Sequence, residues 1–265
     1  MSAAYSRAFA GILRREGLRM VRQRGRLLSA LVRPLVWLAI FAAGFRAVLG
    51  LSPTPPYQTY ILYETYIVPG LAGMMLLFHG MQSSLSMVYD REMGSMRLLL
   101  TSPLPRWFLL SARLLASVLV VLPVVYLFFL AARFWNVRPP VLGYVAVLPA
   151  LILAGAMLGA FGLFISSLIR QLENFAGVMN FVIFPVFFAS TALYPLWRLE
   201  DASHWLALVA AANPFSHAVE LIRFALYLRF DALSCAVVLG ALAVFMAAAV
   251  IGYDPGRGFW GRREA

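Results

Sequence analysis

Long apolar runs separated by short polar stretches dominate the chain from residue 34 to residue 252. A helix that crosses a bilayer needs about 20 residues of predominantly apolar character. Six runs meet or approach this length, which predicts six transmembrane helices: residues 34–51, 61–86, 107–132, 141–168, 175–193 and 232–252. The pattern therefore predicts an all-α integral membrane protein whose transmembrane domain covers residues 34–253.

The segment before the first predicted span, residues 1–33, alternates arginines with apolar residues at near-helical spacing. This pattern predicts a basic amphipathic helix that lies at the membrane interface. A cleavable signal peptide fits less well, because the charged region is long and no small-residue cleavage site follows it.

The stretch between the fifth and sixth predicted spans, residues 195–231, is amphipathic and rich in aromatic residues. It is too polar for a simple span and too apolar for a solvated loop. We therefore predict two short re-entrant helices at the outer interface, with a break at Asn213-Pro214. Glu220 and Arg223 are three residues apart on the second helix, so they can form an ion pair.

The stretch between the second and third predicted spans, residues 88–101, has two contrasting helical faces. Tyr89, Met93, Met96 and Leu100 share one face, whereas Asp90, Gly94, Arg97 and Thr101 share another. The pattern predicts an amphipathic helix of three to four turns. Two interpretations remain open at this point: a docking surface for a partner protein, and a loop helix that rests on the membrane.

Composition supports the membrane assignment and suggests an orientation. The chain is 62% hydrophobic and only 12% charged, whereas soluble domains carry about 25% charged residues. The net charge of +11 comes entirely from arginines, which cluster in the tails and in alternate loops. By the positive-inside rule, this distribution places both termini, including the tail 254–265, in the cytoplasm. It also favours a lipid bilayer rather than nucleic acid as the partner.

Missing residue types exclude several kinds of chemistry. The 265 residues contain no lysine, so they carry no P-loop, whose lysine contacts the nucleotide phosphates. The single cysteine, Cys235, cannot form a disulfide within the chain. The three histidines show no metal-binding spacing, so we expect no metal site. The sequence contains neither an HExxH nor a GxSxG motif, so we expect no catalytic residue.

Polar and small residues inside the predicted spans are candidates for packing or for a translocation path. Tyrosines recur every third residue at the start of the second span, which is typical of an aromatic belt: Tyr57, Tyr60, Tyr63 and Tyr66. Glu64 is either a solvated interface residue or a residue of a substrate entry. Asn180 is either an interhelical hydrogen-bonding residue or a substrate ligand. Gly155 and Gly159 allow close contact between helices.

The run from Arg91 to Arg106, REMGSMRLLLTSPLPR, resembles the signature R-E-x-G-[ST]-x-x-x-L-L-x-[ST]-P of ABC-2 type transporter permeases. The basic N-terminal segment, the six predicted spans, Tyr194-Pro195-Leu196 and Asn213-Pro214-Phe215-Ser216 also stand where this family has similar features. Arg97 departs from the family pattern, in which an acidic residue is common at this position.

The resemblance implies the membrane half of an ATP-driven exporter in which two copies pair. A separate subunit would bind ATP and Mg, and this chain itself would hold no cofactor. The ATP-binding subunit would contact the coupling helix 88–101, through Asp90, Arg91, Glu92, Gly94, Arg97 and Thr101. Candidates for the translocation path or an outer gate are Glu64, Asn180, Asn213, Glu220 and Arg223.

A narrower resemblance concerns the cargo. The sequences GMQSSLSMVYDREMGSMRLLLTSPLPRWFLL and SSLIRQLENFAGVMNFVIFP are similar to a sub-branch associated with quinoprotein alcohol dehydrogenase systems. This implies a bacterial inner membrane and export of an alcohol or a related small organic compound.

Other functions compete with the exporter interpretation. A secondary transporter or channel usually carries ionisable residues deep in its spans. Here Glu64 and Arg46 are the candidates, and both are predicted to lie near the outer face. A scaffold without transport activity is a further alternative.

Overall fold

The computed structural model describes residues 2–45, 55–57, 60–92, 104–169 and 172–253, and this part of the chain is helical apart from turns and short connections. The helices are α1 (Ser2–Arg22), α2 (Arg24–Phe45), α3 (Tyr63–Glu92), α4 (Arg106–Ala132), α5 (Val141–Leu168), α6 (Leu172–Phe188), α7 (Leu196–Ala202), α8 (His204–Ala212), α9 (Pro214–Leu226) and α10 (Ala232–Gly252). A short 3-10 turn, Arg133–Trp135, follows α4.

Four helices in the described part of the chain are long and apolar enough to cross a bilayer, and they correspond to the predicted second, third, fourth and sixth spans. Their spanning segments are Tyr63–Tyr89, Trp107–Trp135, Val141–Leu168 and Ala232–Gly252. Helices α8 and α9 would form a fifth as a pair, although they are bent by 73° at Asn213. The chain is therefore a multi-pass membrane protein.

The other two predicted spans correspond to shorter apolar helical segments. These are Leu28–Gly44 within α2 and Gly177–Phe188 within α6, and each is shorter than the about 20 residues that a span requires. Residues 46–51, the end of the predicted first span, lie outside the described residues. The count of six spans therefore stays a prediction.

The predicted N-terminal helix, residues 1–33, is two helices in the structure. Helix α1 ends at Arg22 and α2 begins at Arg24, so the helix of the first predicted span starts about ten residues earlier than the apolar run. Helix α1 packs along α4, where the Tyr5 and Phe108 rings meet edge-on with centroids 4.7 Å apart. The tail 254–265 lies outside the described residues.

The predicted coupling helix 88–101 is not separated from the second span where it begins. Helix α3 continues unbroken through residues 88–92, and Val88 is fully buried while Tyr89 is about half exposed. Residues 93–101 lie outside the described part of the chain. The first third of the predicted coupling helix, residues 88–92, is therefore the end of a 30-residue helix that starts at Tyr63.

Helices α3 and α5 form the centre of the bundle and cross at glycines. A Cβ atom added to Gly80 would lie 2.9 Å from the Cα atom of Gly159, so the two backbones are in direct contact. Such close approach of two backbones stabilises helix packing in lipid, where no hydrophobic effect drives the helices together. The close contact predicted for Gly159 is present, and α10 also packs against α5.

The bundle has two ends, which we name by the ends of α3. The Tyr63 end holds α7, α8 and α9, so the region predicted as two short helices contains three, with the expected break at Asn213 and another at Ser203. The Glu92 end holds the start of α4 and the end of α10, where the hydroxyl groups of Tyr253 and Ser166 lie 2.7 Å apart.

The glycine contact between α3 and α5 leads to a stability prediction. We expect Gly80→Ala to lower the free energy of unfolding of the detergent-purified protein by about 1–3 kcal/mol, because the added methyl group would meet the α5 backbone. The melting temperature should fall accordingly. Gly240→Ala in α10 is the matched control, since its Cβ would find no atom within 4 Å and alanine favours helix by up to about 1 kcal/mol. A Gly80→Ala variant that melts at or above the wild-type temperature would contradict the close contact.

Candidate functional site

The break between α8 and α9 is fastened by the side chain of Asn213. Its Nδ2 atom donates hydrogen bonds to the carbonyl oxygens of Val186 and Ala189, both at 2.8 Å. Its Oδ1 atom accepts a hydrogen bond of 3.0 Å from the backbone N–H of Phe215, which caps the N-terminus of α9. The Asn-Pro pair therefore ends one helix, starts the next and binds both to the end of α6.

A buried arginine on α9 connects three parts of the Tyr63 end. Arg223 is 1% exposed, and its Nη1 atom pairs with the Oε1 atom of Glu220. Its Nη2 atom donates to the carbonyl oxygens of Thr191, at 3.0 Å, and Tyr66, at 3.4 Å. The ion pair predicted from the i, i+3 spacing is thus present, and the same guanidinium also contacts α3 and the turn after α6.

Two tyrosines of α3 complete this group. The Tyr66 hydroxyl donates to the carbonyl oxygen of Thr191 at 2.9 Å, and the Tyr63 hydroxyl donates to that of Leu193 at 3.0 Å. The Tyr66 ring also lies 3.9 Å from the guanidinium carbon of Arg223, within the range of a cation–π contact. We call Tyr63, Tyr66, Thr191, Glu220 and Arg223 the tyrosine–arginine cluster.

The tyrosine–arginine cluster supplies hydrogen-bond donors to carbonyl groups of a non-helical segment. The turn after α6, residues 189–194, is not helical, so its carbonyl groups lack helical partners. In an apolar environment each unsatisfied carbonyl is costly, and a buried guanidinium is stable only when it is paired and hydrogen-bonded. Here the donors of the cluster bond to carbonyl groups of the turn, and Glu220 and the turn accept from the two Nη atoms of the arginine. The Nε atom of Arg223 and the Thr191 hydroxyl have no hydrogen-bond partner within the described residues.

The backbone packing around this turn is close enough to require a glycine. A Cβ atom on Gly70 of α3 would lie 2.3 Å from the carbonyl oxygen of Ala192. The backbone N–H of Thr191 also donates to the Ser216 hydroxyl of α9 at 3.2 Å. The turn after α6 is therefore held between α3 and α9, and movement of either helix acts on it directly.

The structure brings together some of the predicted path or gate residues and separates others. Glu220 and Arg223 lie in the cluster, and Asn213 lies at the adjoining break. Glu64 is 2% exposed, so its interpretation as a solvated interface residue is wrong for this chain alone. Asn180 is exposed on α6 and does not face the interior of the bundle.

The predicted docking residues are described only in part. Asp90, Arg91 and Glu92 form the last turn of α3. Gly94, Arg97 and Thr101 lie outside the described residues. The docking assignment therefore stays a prediction. Within the described ranges, no group of three His, Cys, Asp or Glu residues is arranged to hold a metal ion.

The sequence pattern did not predict that three of the four tyrosines are buried inside the bundle. Only Tyr60 of the four is strongly exposed, at 78%, whereas Tyr57, Tyr63 and Tyr66 are buried. The aromatic-belt interpretation is therefore wrong for these three. Tyr57 and Tyr60 precede α3, whereas Tyr63 and Tyr66 share a face of α3 that packs against the turn after α6. Arg113, a buried residue of α4, was also missed because it stands alone in an apolar run.

The long apolar helices define a multi-pass membrane protein. At the Tyr63 end, a helical segment is broken at Asn213, whose side chain is hydrogen-bonded to the end of α6. The sequence model of the ABC-2 type transporter family matches residues 7–227, and the chain belongs to this family. It is a membrane subunit of an ABC transporter, a class that works with an ATP-binding partner.

Similar proteins carry transport names. One named as the transport permease ycf38 of Cyanophora paradoxa is 26% identical over 218 residues, which cover 80% of this chain and 72% of that protein. Its namesake in Porphyra purpurea is 27% identical over the same shares. A protein of Escherichia coli (strain K12) named as a multidrug ABC transporter permease, YbhR, is 30% identical over 170 residues, which cover 63% of this chain and 45% of that protein.

The tyrosine–arginine cluster leads to a second stability prediction. We expect Arg223→Gln to destabilise the purified protein by roughly 3–5 kcal/mol, because Glu220 and two carbonyl groups would lose their cationic partner. Arg198→Gln is the matched control: Arg198 is exposed and stacks on Trp197 at 4.8 Å, so its loss should cost less than about 1 kcal/mol. Equal melting temperatures for the two variants would show that the cluster does not stabilise the fold.

Proposed function

We propose that this chain is the membrane subunit of an ABC exporter that moves its substrate outward while a separate subunit hydrolyses ATP. The observation that carries the proposal is the family match over residues 7–227, which runs from α1 to the end of α9 and leaves out α10. The lack of lysine is consistent with it, because these 265 residues hold no P-loop of their own. ATP and Mg would bind to that partner.

The partner subunit docks, in this proposal, on the coupling segment 88–101 at the Glu92 end, on the cytoplasmic side. The course of α3 supports a mechanical role. Its 30 residues run without interruption from Tyr63 to Glu92, a length of about 45 Å. A push on the last turn of α3 would therefore be transmitted along one continuous helix to the other end of the bundle, past Pro69, which removes one backbone hydrogen bond near that end.

The opposite end of α3 then acts on an outer gate. Tyr63 and Tyr66 hold the turn after α6, and Arg223 joins that turn to α9. A displacement of α3 cannot leave this turn in place without breaking buried hydrogen bonds, which are expensive in an apolar setting. The helices α7, α8 and α9, within residues 195–231, would open or close the path in response.

A second copy of the chain completes the path in this proposal. Helix α6 exposes Asn180 together with Phe181, Phe184 and Phe188. An amide facing lipid hydrocarbon is unfavourable without a hydrogen-bonding partner. We therefore assign this face of α6 to the contact with a second copy or to the substrate path between the copies.

The arginine distribution supports the orientation, and the narrower family resemblance supports the bacterial inner membrane. We place the protein in the inner, cytoplasmic membrane of a bacterial cell with both termini in the cytoplasm. For the cargo we propose a small organic compound such as an alcohol, by resemblance to exporters associated with quinoprotein alcohol dehydrogenases. The multidrug name of the Escherichia coli relative also supports a small organic cargo.

A transporter driven by an ion gradient is the alternative function, and one observation favours it. Glu64 is buried on α3, and buried carboxylates in spans are characteristic of ion-coupled transporters. Such a protein would work without an ATPase, whereas the exporter would not.

The docking proposal predicts the effect of a charge reversal. We expect Glu92→Arg to weaken co-purification of the P-loop ATPase encoded beside this chain by at least about fivefold, because a charge at the interface changes sign. Membrane insertion should be unchanged. Glu200→Arg is the matched control, since Glu200 is exposed on α7 at the Tyr63 end and should leave the yield of the ATPase unaltered. Equal recovery of the ATPase with both variants would contradict the assignment of the docking segment.

A further inference from the structure

Helix α4 contains a buried arginine that has no role in the exporter mechanism proposed above. Arg113 is 6% exposed and lies about two turns from the start of α4. Its Nη2 atom donates to the Ser86 hydroxyl of α3 at 2.6 Å, and its Nη1 atom donates to the Met87 sulfur. One guanidinium therefore joins α4 to two successive residues of α3.

Apolar side chains and serine hydroxyl groups surround Arg113. The side chains of Leu110, Leu114 and Leu163 are buried in the same cluster as Met87, and a small cavity beside Arg113 is lined by residues of α3, α4 and α5. A charged group is expensive in such a place. A leucine or methionine would pack α3 against α4 without that cost, so packing alone does not explain the arginine.

The position of this contact along the chain is informative. Ser86 and Met87 lie three to six residues before Asp90, Arg91 and Glu92, the last turn of α3. The segment that connects α3 to α4, residues 93–105, contains the rest of the proposed docking segment. Arg113 thus joins the two helices that flank that segment in the sequence, about two helical turns away from it along each helix.

We propose that Arg113 is a positioning residue that makes the end of α3 and the start of α4 move as one unit when the docking segment is pushed. This inference rests on the proposed exporter function and identifies the part of the bundle that receives the force. Without the contact, α3 and α4 can separate at the Glu92 end, and a push from the ATPase is absorbed locally. The displacement then does not reach the tyrosine–arginine cluster.

The chemistry of the contact makes arginine specific. A guanidinium presents two separate Nη groups in a fixed plane, so it can hold a hydroxyl and a sulfur on neighbouring residues at once. A lysine at this position keeps the positive charge but offers a single nitrogen. Arg113→Lys therefore separates the role of the two-point contact from the role of the charge.

The test uses the complete complex of this chain with its ATPase in lipid nanodiscs. An environment-sensitive fluorophore is attached to Glu200→Cys at the Tyr63 end, in a Cys235→Ser background, and two quantities are measured: the rate of ATP hydrolysis and the fluorescence change on ATP addition. We expect Arg113→Lys to retain ATP hydrolysis and to reduce the fluorescence change at least about fivefold. A loss of folding alone would reduce both quantities together.

A second variant keeps the proposal testable if Arg113→Lys does not fold. Ser86→Ala combined with Met87→Leu leaves the arginine in place and removes the Ser86 hydroxyl and the Met87 sulfur, and it should also lower the fluorescence change per ATP hydrolysed. Arg198→Lys on α7 is the control and should behave as wild type. If Arg113→Lys or the double variant keeps the full response, the inference is overturned. If the wild-type complex itself shows no response to ATP, the proposed function fails and the inference fails with it.

Discussion

A polar group inside a bilayer must find its partner within the protein, and this constraint explains the Tyr63 end of the molecule. The chain interrupts its helices at residues 189–194 and at Asn213, where lipid could not satisfy the exposed carbonyl groups. Asn213, Tyr63, Tyr66 and Arg223 supply the missing donors. A broken helical segment can persist there because each break is bonded to a neighbouring helix.

The same bonds make that end mechanically dependent on α3. Two of the four donor side chains belong to α3, and Gly70 brings its backbone against Ala192. At the Glu92 end, Arg113 bonds α4 to α3. The two buried arginines therefore stand near opposite ends of one long helix. This arrangement accounts for how a membrane subunit of an ABC transporter could pass a local push across the bilayer.

The sequence predicts those features that depend on long or local patterns. Apolar length locates α3, α4, α5 and α10, and proline chemistry locates the break at Asn213. The i, i+3 spacing predicts the pair between Glu220 and Arg223. Each of these follows from a property of one segment taken alone, so no knowledge of the neighbouring helices is required.

Features that depend on neighbouring helices are not predictable in this way. The tyrosine spacing defines a face of α3, but which side of the bundle it contacts depends on the turn after α6, more than 100 residues away. The burial of Glu64 and Arg113 likewise results from packing between helices. The boundary near Gln23 was misplaced because the apolar run begins later than the helix does, and a hydropathy pattern detects only the run.

The most direct test of the account is reconstitution in inside-out proteoliposomes, with uptake of a fluorescent Hoechst dye as the measured quantity. The account predicts uptake only when this chain, its P-loop ATPase and MgATP are all present, with no uptake when any one of them is omitted. Uptake by the chain alone under an imposed proton gradient, with neither ATPase nor ATP, would contradict it and would support the ion-driven alternative.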